Sequence, residues 1–492
     1  MHLTRRYFLK STGLVVSYMG ICPFLPSIAR AVTPQPVTKN KVLVALFLRG
    51  GADGLNLVTP YGDEHYSSLR RSIGAAAPNA SDPSSLIDLD GFFGLNPRMS
   101  ALKPFFDSGL CAAAHAVGYD KNTRSHFEEQ DTWETGVSGN TINSDGWLNR
   151  HLVTSTGRGP IRAVSIGDGL PRIMQGKAPA YAVRGLEELN LPKTARNIDP
   201  ETMSAALEHA YQGSAMKAKS DATDLLAQSA SATLEGVRQL RNVTSGPYVP
   251  ANGVEYPKTD LGRKLAQIAR LIKADVGLEV AEVDLGGFDT HQNQGRAGEG
   301  QLGNLAQQIA DALAAFAKDL GDKMDDVLVV TLSDFGRTAF ENGTGGTDHG
   351  WASCMFLLGG AVQRGGTGGS SASGIAEGGT GGSSASGVAE GGTGGSSASG
   401  VGTMTPNTTA GSSADAAVLR SVPAQLRSPT GSRKVLTRWP GLAPDQLHEK
   451  RDLLHTTDFR DVLGEIVSVH LGNENVKVVL PNHDFKKLGM IA

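Results

Sequence analysis

The stretch KVLVALFLRGGADGLN, residues 41–56, joins two unlike halves. Through Leu48 it is an unbroken apolar run of strand length, the pattern of a strand buried on both faces of a sheet. Beyond it lies a glycine-rich turn carrying Arg49, Asp53 and Asn56. A structural reading is available: Gly50, Gly51 and Gly54 permit a tight turn, and Asp53 caps the next helix. A chemical reading stands beside it, because the carboxyl end of a strand in an open α/β sheet is where such folds hold ligands.

Other apolar runs extend the pattern. LCAAAHAV (110–117), IRAVSIG (161–167), LEVAEVDL (278–285), VLVVTL (327–332) and CMFLLGG (354–360) read as further buried strands. Between them, Leu302, Leu305, Ile309, Leu313, Phe316 and Leu320 share one helical face, and a second helix is predicted from Phe459 to Leu471, ahead of VKVVLP. Residues 201–274 are helical in pattern and polar enough for an outer layer or cap. Alternation of this kind predicts a doubly wound, largely parallel sheet with helices on both faces.

The 492 residues carry a formal net charge of −3, which offers nucleic acid no basic surface. Three cysteines, Cys22, Cys111 and Cys354, are too few for a disulfide framework or a thiolate zinc site. At the amino end, TRRYFLK (4–10) sets Arg5 and Arg6 before a short apolar stretch that closes on Ala29-Arg30-Ala31. That is the pattern of a twin-arginine signal, residues 1–31, followed by a polar linker, 32–40. The apolar span falls short of the ~20 residues a membrane helix needs, so no stable span is expected after processing. The expected setting is bacterial and periplasmic or secreted, with the twin-arginine export machinery as a partner. GGTGGSSASG recurs at Gly365, Gly378 and Gly391. Such repeats bury too little apolar surface to offset their ordering entropy, so residues 364–433 are expected to form a disordered insertion in a domain made of 41–363 and 434–492.

Three more strand ends bear polar clusters. GGFDTHQNQG supplies Asp289 and His291, SDFGRT supplies Asp334 and Arg337, and GTGGTDHGW supplies Asp348 and His349. Singly, each has an ordinary explanation as a helix cap, a turn or a loop residue. Jointly with Asp53 they deliver carboxylates and imidazoles to one edge of a parallel sheet. That donor set, lacking thiolates, predicts a divalent cation: zinc, manganese, magnesium or calcium. A further segment, NTRSHFEEQDTWETG, brings Thr123, Arg124, Ser125 and His126 together. A hydroxyl beside an arginine suits attack on a phosphate or sulfate ester. The same letters also fit a capping box between Ser125 and Glu128.

The motifs LRGGADGLNLVTPYGDEHY, HAVGYDKNTRSHFEEQDTWETG, GGFDTHQNQ, TLSDFGRTAFENGTGGTDHGWAS and TTDFRDVLGEIVSVHLG, in this order, resemble the family of domain of unknown function 1501. That family is similar to the alkaline phosphatase and sulfatase superfamily, a doubly wound sheet with two metal sites flanking a nucleophile. The resemblance implies Asp53 as the first-strand ligand, Ser125 as nucleophile, and Asp289 with His291 as the next ligand pair. It further implies Asp334 as the later aspartate and His349 as the last histidine. Two departures stand out: Asp289 and His291 are two apart where four is usual, and Phe335 replaces the histidine after the aspartate. One metal site is therefore expected to be remodelled or lost. The activity implied is that of an exported metal-dependent hydrolase of phosphate or sulfate esters. Its substrate would be a small ester or a surface glycan, with Arg124 or Arg337 stabilising the transferred group. The alternative is an inactive envelope protein of the same fold that binds or organises cell-surface polysaccharide.

Overall fold

The computed structural model describes residues 40–139, 144–186 apart from 158 and 160, 236–362 apart from 237, 241 and 244, and 426–492. The leader, the linker up to residue 39, the repeats and most of 201–274 lie outside them. The main sheet contains β1 (Val42–Leu48), β2 (Cys111–Gly118), β3 (Ala163–Ile166), β4 (Tyr181–Val183), β5 (Val280–Leu285), β6 (Val327–Ser333), β7 (Ser353–Gly359), β8 (Val435–Leu436) and β9 (Thr457–Asp458). Their spatial order is β8-β2-β7-β6-β1-β5-β3-β4, with β9 also paired to β2. Every pairing is parallel except the two made by β7, which runs against β6 and β2.

All seven residues of β1 are buried, as its central place requires. Val42, Val44, Leu46 and Leu48 face one core, while Leu43, Ala45 and Phe47 face the other. The first core is closed by α3 (Asp260–Lys273) and α4 (Gly300–Leu320), through Leu265, Ile268, Ile309 and Phe316. The second is closed by α1 (His126–Thr135), α2 (Trp147–Thr154) and α5 (Phe459–Glu465), through Trp133, Trp147 and Val462. Helices therefore cover both faces, and the fold is the doubly wound α/β sheet that the apolar runs predict. Local signals set the helix ends. Gly136, at φ 65°, closes α1 in the left-handed conformation, and the Thr259 hydroxyl caps α3.

Two details differ from the sequence reading. The chain is already ordered at Leu426, which is buried in the second core, so the expected boundary at Lys434 falls eight residues late. The valines of VKVVLP form a short helix, Val476–Val479, rather than joining the sheet. Cys111 and Cys354 are buried on neighbouring strands as free thiols, and no disulfide occurs among the described residues.

Register aligns the strand ends. Leu48 lies level with Leu285 on one side and Ser333 on the other. The loops after β1, β5 and β6 therefore leave from one line. The loop after β2 and the loop entering antiparallel β7 reach the same edge.

Candidate metal centre

At that edge the Nε2 atoms of three histidines gather around one oxygen. Asp289 Oδ1 lies 3.4 Å from His126 Nε2, 3.1 Å from His291 Nε2 and 3.2 Å from His349 Nε2. The ligand atoms of His126, Asp289 and His349 all fall within 4.8 Å of one another. His291 stands alongside, its Nε2 3.0 Å from that of His349.

Each ring is fixed from behind. His126 Nδ1 is 2.6 Å from Asp334 Oδ2, His291 Nδ1 is 3.0 Å from Asp348 Oδ1, and His349 Nδ1 is 2.8 Å from the Arg124 carbonyl. Carbonyls and carboxylates only accept, so each Nδ1 carries a proton, and in a neutral ring Nε2 is then left with a lone pair toward the centre. This is how proteins orient metal-binding imidazoles. His126 Nε2 is buried and makes no hydrogen bond. Burial, reinforced by the charge of Arg337, lowers the His349 pKa against the pull of the Arg124 carbonyl and of Asp289, which favours the neutral ring a cation needs. Burial works against ionisation of Asp289. The hydrogen bond and charge of Arg337 outweigh it and hold the carboxyl down at about 2.

The expected site residues thus divide. Asp289, His291 and His349 come together at the centre. Asp334 and Asp348 take part through histidines rather than directly. Asp334 is fully buried and also accepts from the Gly50 amide and the Gln130 side chain. Asp53 does not join them. Its Oδ2 accepts from buried Arg70 at 2.5 Å and from Gln294 at 2.7 Å, and its side chain makes no capping bond. Gln294 in turn accepts from Thr290 and Thr347, so Asp53 buttresses the loop that carries Asp289 and His291. Gly50 explains the glycine turn: a Cβ there would sit 2.6 Å from the Asp289 amide nitrogen. Arg337 is buried and spent on the carbonyls of Gly50, Gly51, Phe288 and Thr347 and on Asp289. Arg124 points its guanidinium at Asp452 and Glu449.

Ser125 is the residue before α1, yet its side chain makes no capping bond. The Ser125–Glu128 box does not form. Instead Glu129 accepts from the amide and hydroxyl of Thr123. His126 is the candidate ligand that the sequence reading passed over. The one available signal was its place beside Ser125, in the only polar cluster following β2. Phe335, in the position expected for a histidine, is a buried ring 4.8 Å from that of His126 and 4.7 Å from that of His349. It walls the centre where a further ligand would have stood.

No curated protein matches the chain. Among solved structures it is similar to a sulfatase from Pseudoalteromonas sp., at 12% identity and a TM-score of 0.28, over 65% of this chain and 62% of that one. It is also similar to the alkaline phosphatase of the Antarctic bacterium TAB5, at 12% identity and a TM-score of 0.27, over 65% of this chain and 92% of that one. The chain therefore spans less than two thirds of the sulfatase. Strand order and direction, rather than these likenesses, define the fold. Residues 109–376 match the family described as "Protein of unknown function (DUF1501)", and the chain belongs to that family.

Proposed function

We propose that the protein is an exported metal-dependent hydrolase of phosphate or sulfate esters. One observation carries the reading. The Nε2 atoms of His291 and His349 face each other at 3.0 Å while both Nδ1 atoms are already donating. Two bare lone pairs beside a carboxylate repel unless a cation joins them. Imidazoles with one carboxylate suit zinc or a neighbouring transition ion better than magnesium or calcium, which prefer oxygen-rich shells. His126, Asp289 and His349 would hold the ion, with His291 alongside, and it would supply Lewis-acid polarisation of an ester oxygen.

Ser125 is the nucleophile in this reading. It adjoins His126 at the amino end of a ten-residue helix, with its hydroxyl left out of the cap. Arg124 and Arg337 hold the site instead of the substrate, because both guanidiniums are engaged by the protein. Phe335 excludes water from the back of two ligand rings. The paired arginines of the leader supply the export address.

The test is hydrolysis of p-nitrophenyl phosphate and p-nitrophenyl sulfate by protein stripped of metal and then given zinc or cobalt. Activity should return with metal in the wild type and stay absent in Ser125→Ala, which should still bind the ion. Full turnover by Ser125→Ala would remove the nucleophile assignment. Metal binding with no turnover of either ester would leave the envelope-binding reading in its place.

A further inference from the structure

Arg124 is one of the few non-glycine residues at positive φ, with φ 59°. That region is unfavourable for a side chain, and a residue stays there only when its surroundings hold it. The surroundings here are specific. Its amide donates to Asn122 Oδ1 at 2.7 Å. Its guanidinium donates to Asp452 Oδ2 through Nε at 3.0 Å and Nη2 at 2.7 Å, and lies 5.1 Å from the centre of the Trp351 ring. Asp452 is fully buried at the base of a tight turn, exchanging backbone hydrogen bonds with His448 across Glu449 and Lys450, which also have positive φ.

The twisted peptide has a use. It turns the Arg124 carbonyl toward His349 Nδ1, 2.8 Å away. The neighbouring Arg451 donates to the carbonyl of His349 itself. One turn, 448–452, thus reaches both the ring and the backbone of the same histidine. We infer that Asp452 and Arg124 are positioning residues for the centre: Asp452 holds Arg124 in its strained conformation, and the Arg124 carbonyl fixes the His349 tautomer. Neither touches a ligand atom of the cluster. The inference rests on the metal-centre reading, but its first consequence, the tautomer, exists without metal.

Two measurements on the full chain test it. In metal-free protein, nitrogen-15 spectra should show His349 protonated at Nδ1 in the wild type, and a mixture of tautomers in Asp452→Asn and Arg124→Gly. Arg124→Gly relieves the backbone strain but strips buried Asp452 of its partner, so the double variant Arg124→Gly/Asp452→Asn, which leaves no buried charge behind, separates positioning from folding: its melting temperature should hold while the tautomer is lost. Zinc affinity, measured by competition with a chelator, should fall about 10- to 100-fold in both variants, the usual effect of losing an outer-shell partner. Asp452→Glu should recover part of that loss. Unchanged tautomer and unchanged zinc affinity in both variants would overturn the inference while leaving the metal centre standing. If the wild type binds no zinc but the tautomer shifts as described, the metal reading fails and the positioning role survives.

Discussion

Asp53 and Asp289 leave neighbouring strands at the same sheet edge, and each meets an arginine at 2.5 Å. Their surroundings differ in everything else. Asp53 is sealed in with Arg70, both fully buried, and no imidazole among the described residues bonds to it. The Asp289 side chain is 48% exposed while its arginine is buried, and three imidazoles face it. The first carboxylate is paired through Oδ2 alone, its buried Oδ1 making no hydrogen bond among the described residues; the second faces imidazole nitrogens as well. An acidic residue at a strand end is therefore not informative until its company is known.

Removing Arg70 should produce the largest effect. Arg70→Ala strands a buried carboxylate, and losing one partner of a buried pair costs about 3–5 kcal/mol. Asp289→Ala, at a half-exposed position, should cost about 1 kcal/mol or less by chemical denaturation. Metal narrows the gap. At roughly 100 times its dissociation constant a bound ion stabilises by about 2.7 kcal/mol, and that gain should persist in Arg70→Ala and vanish in Asp289→Ala. Loss of the metal response in the Arg70 variant would merge the two carboxylates into one site and break the comparison.

Glu279 sharpens the contrast through pH. It is buried against Arg162, His151 and Ser155. Burial alone would raise its pKa, but His151 nearby, the hydrogen bonds from Arg162 and Ser155 and the charge of Arg162 prevail and hold it at about 2. A depressed carboxyl pKa gives stability that is fully present above the unfolded value, near 4.5, and is lost as pH falls toward 2. The contribution is on the order of 3 kcal/mol. Unfolding free energy should therefore drop more steeply between pH 4.5 and 2 in the wild type than in Glu279→Gln. Parallel acid profiles for the two proteins would show that the pair contributes nothing.

The smallest effect belongs to the repeats. Residues 366–423 lie outside the described residues. Replacing them with a short Gly/Ser linker should leave the melting temperature almost unchanged. A drop of several degrees would mean that the repeats support the fold.

The sheet was legible because its strands are apolar runs whose burial needs no partner information. Leu43, Val329 and Leu357 announce themselves by composition alone. The edge that gathers the polar residues followed from strand direction, which alternation with helices implies. The roles at that edge did not follow. Arg70 lies seventeen residues beyond Asp53 with nothing in the sequence to mark the pairing, and Asp452 is 328 residues from Arg124. Hydrogen bonds across such separations leave no periodicity. His126 was hidden by a local pattern, the capping box, that competes for the same letters and fails because Glu129, not Glu128, turns inward.

The position of β1 has a consequence for how the molecule is made. Leu43 pairs with Val280 on one side and Leu328 on the other, so the first strand of the sheet to be synthesised is one of its central members. At ~5–20 residues per second, its neighbours emerge roughly tens of seconds later. Until then VLVALFL has two bare edges and no charge to deter pairing with another chain. Any nascent fragment that stops short of Ser333 leaves β1 without its full set of neighbours, and a fragment stopping before Val280 leaves it with neither. A strand at the heart of the finished sheet thus stays unpaired from the synthesis of Leu48 until that of Val280.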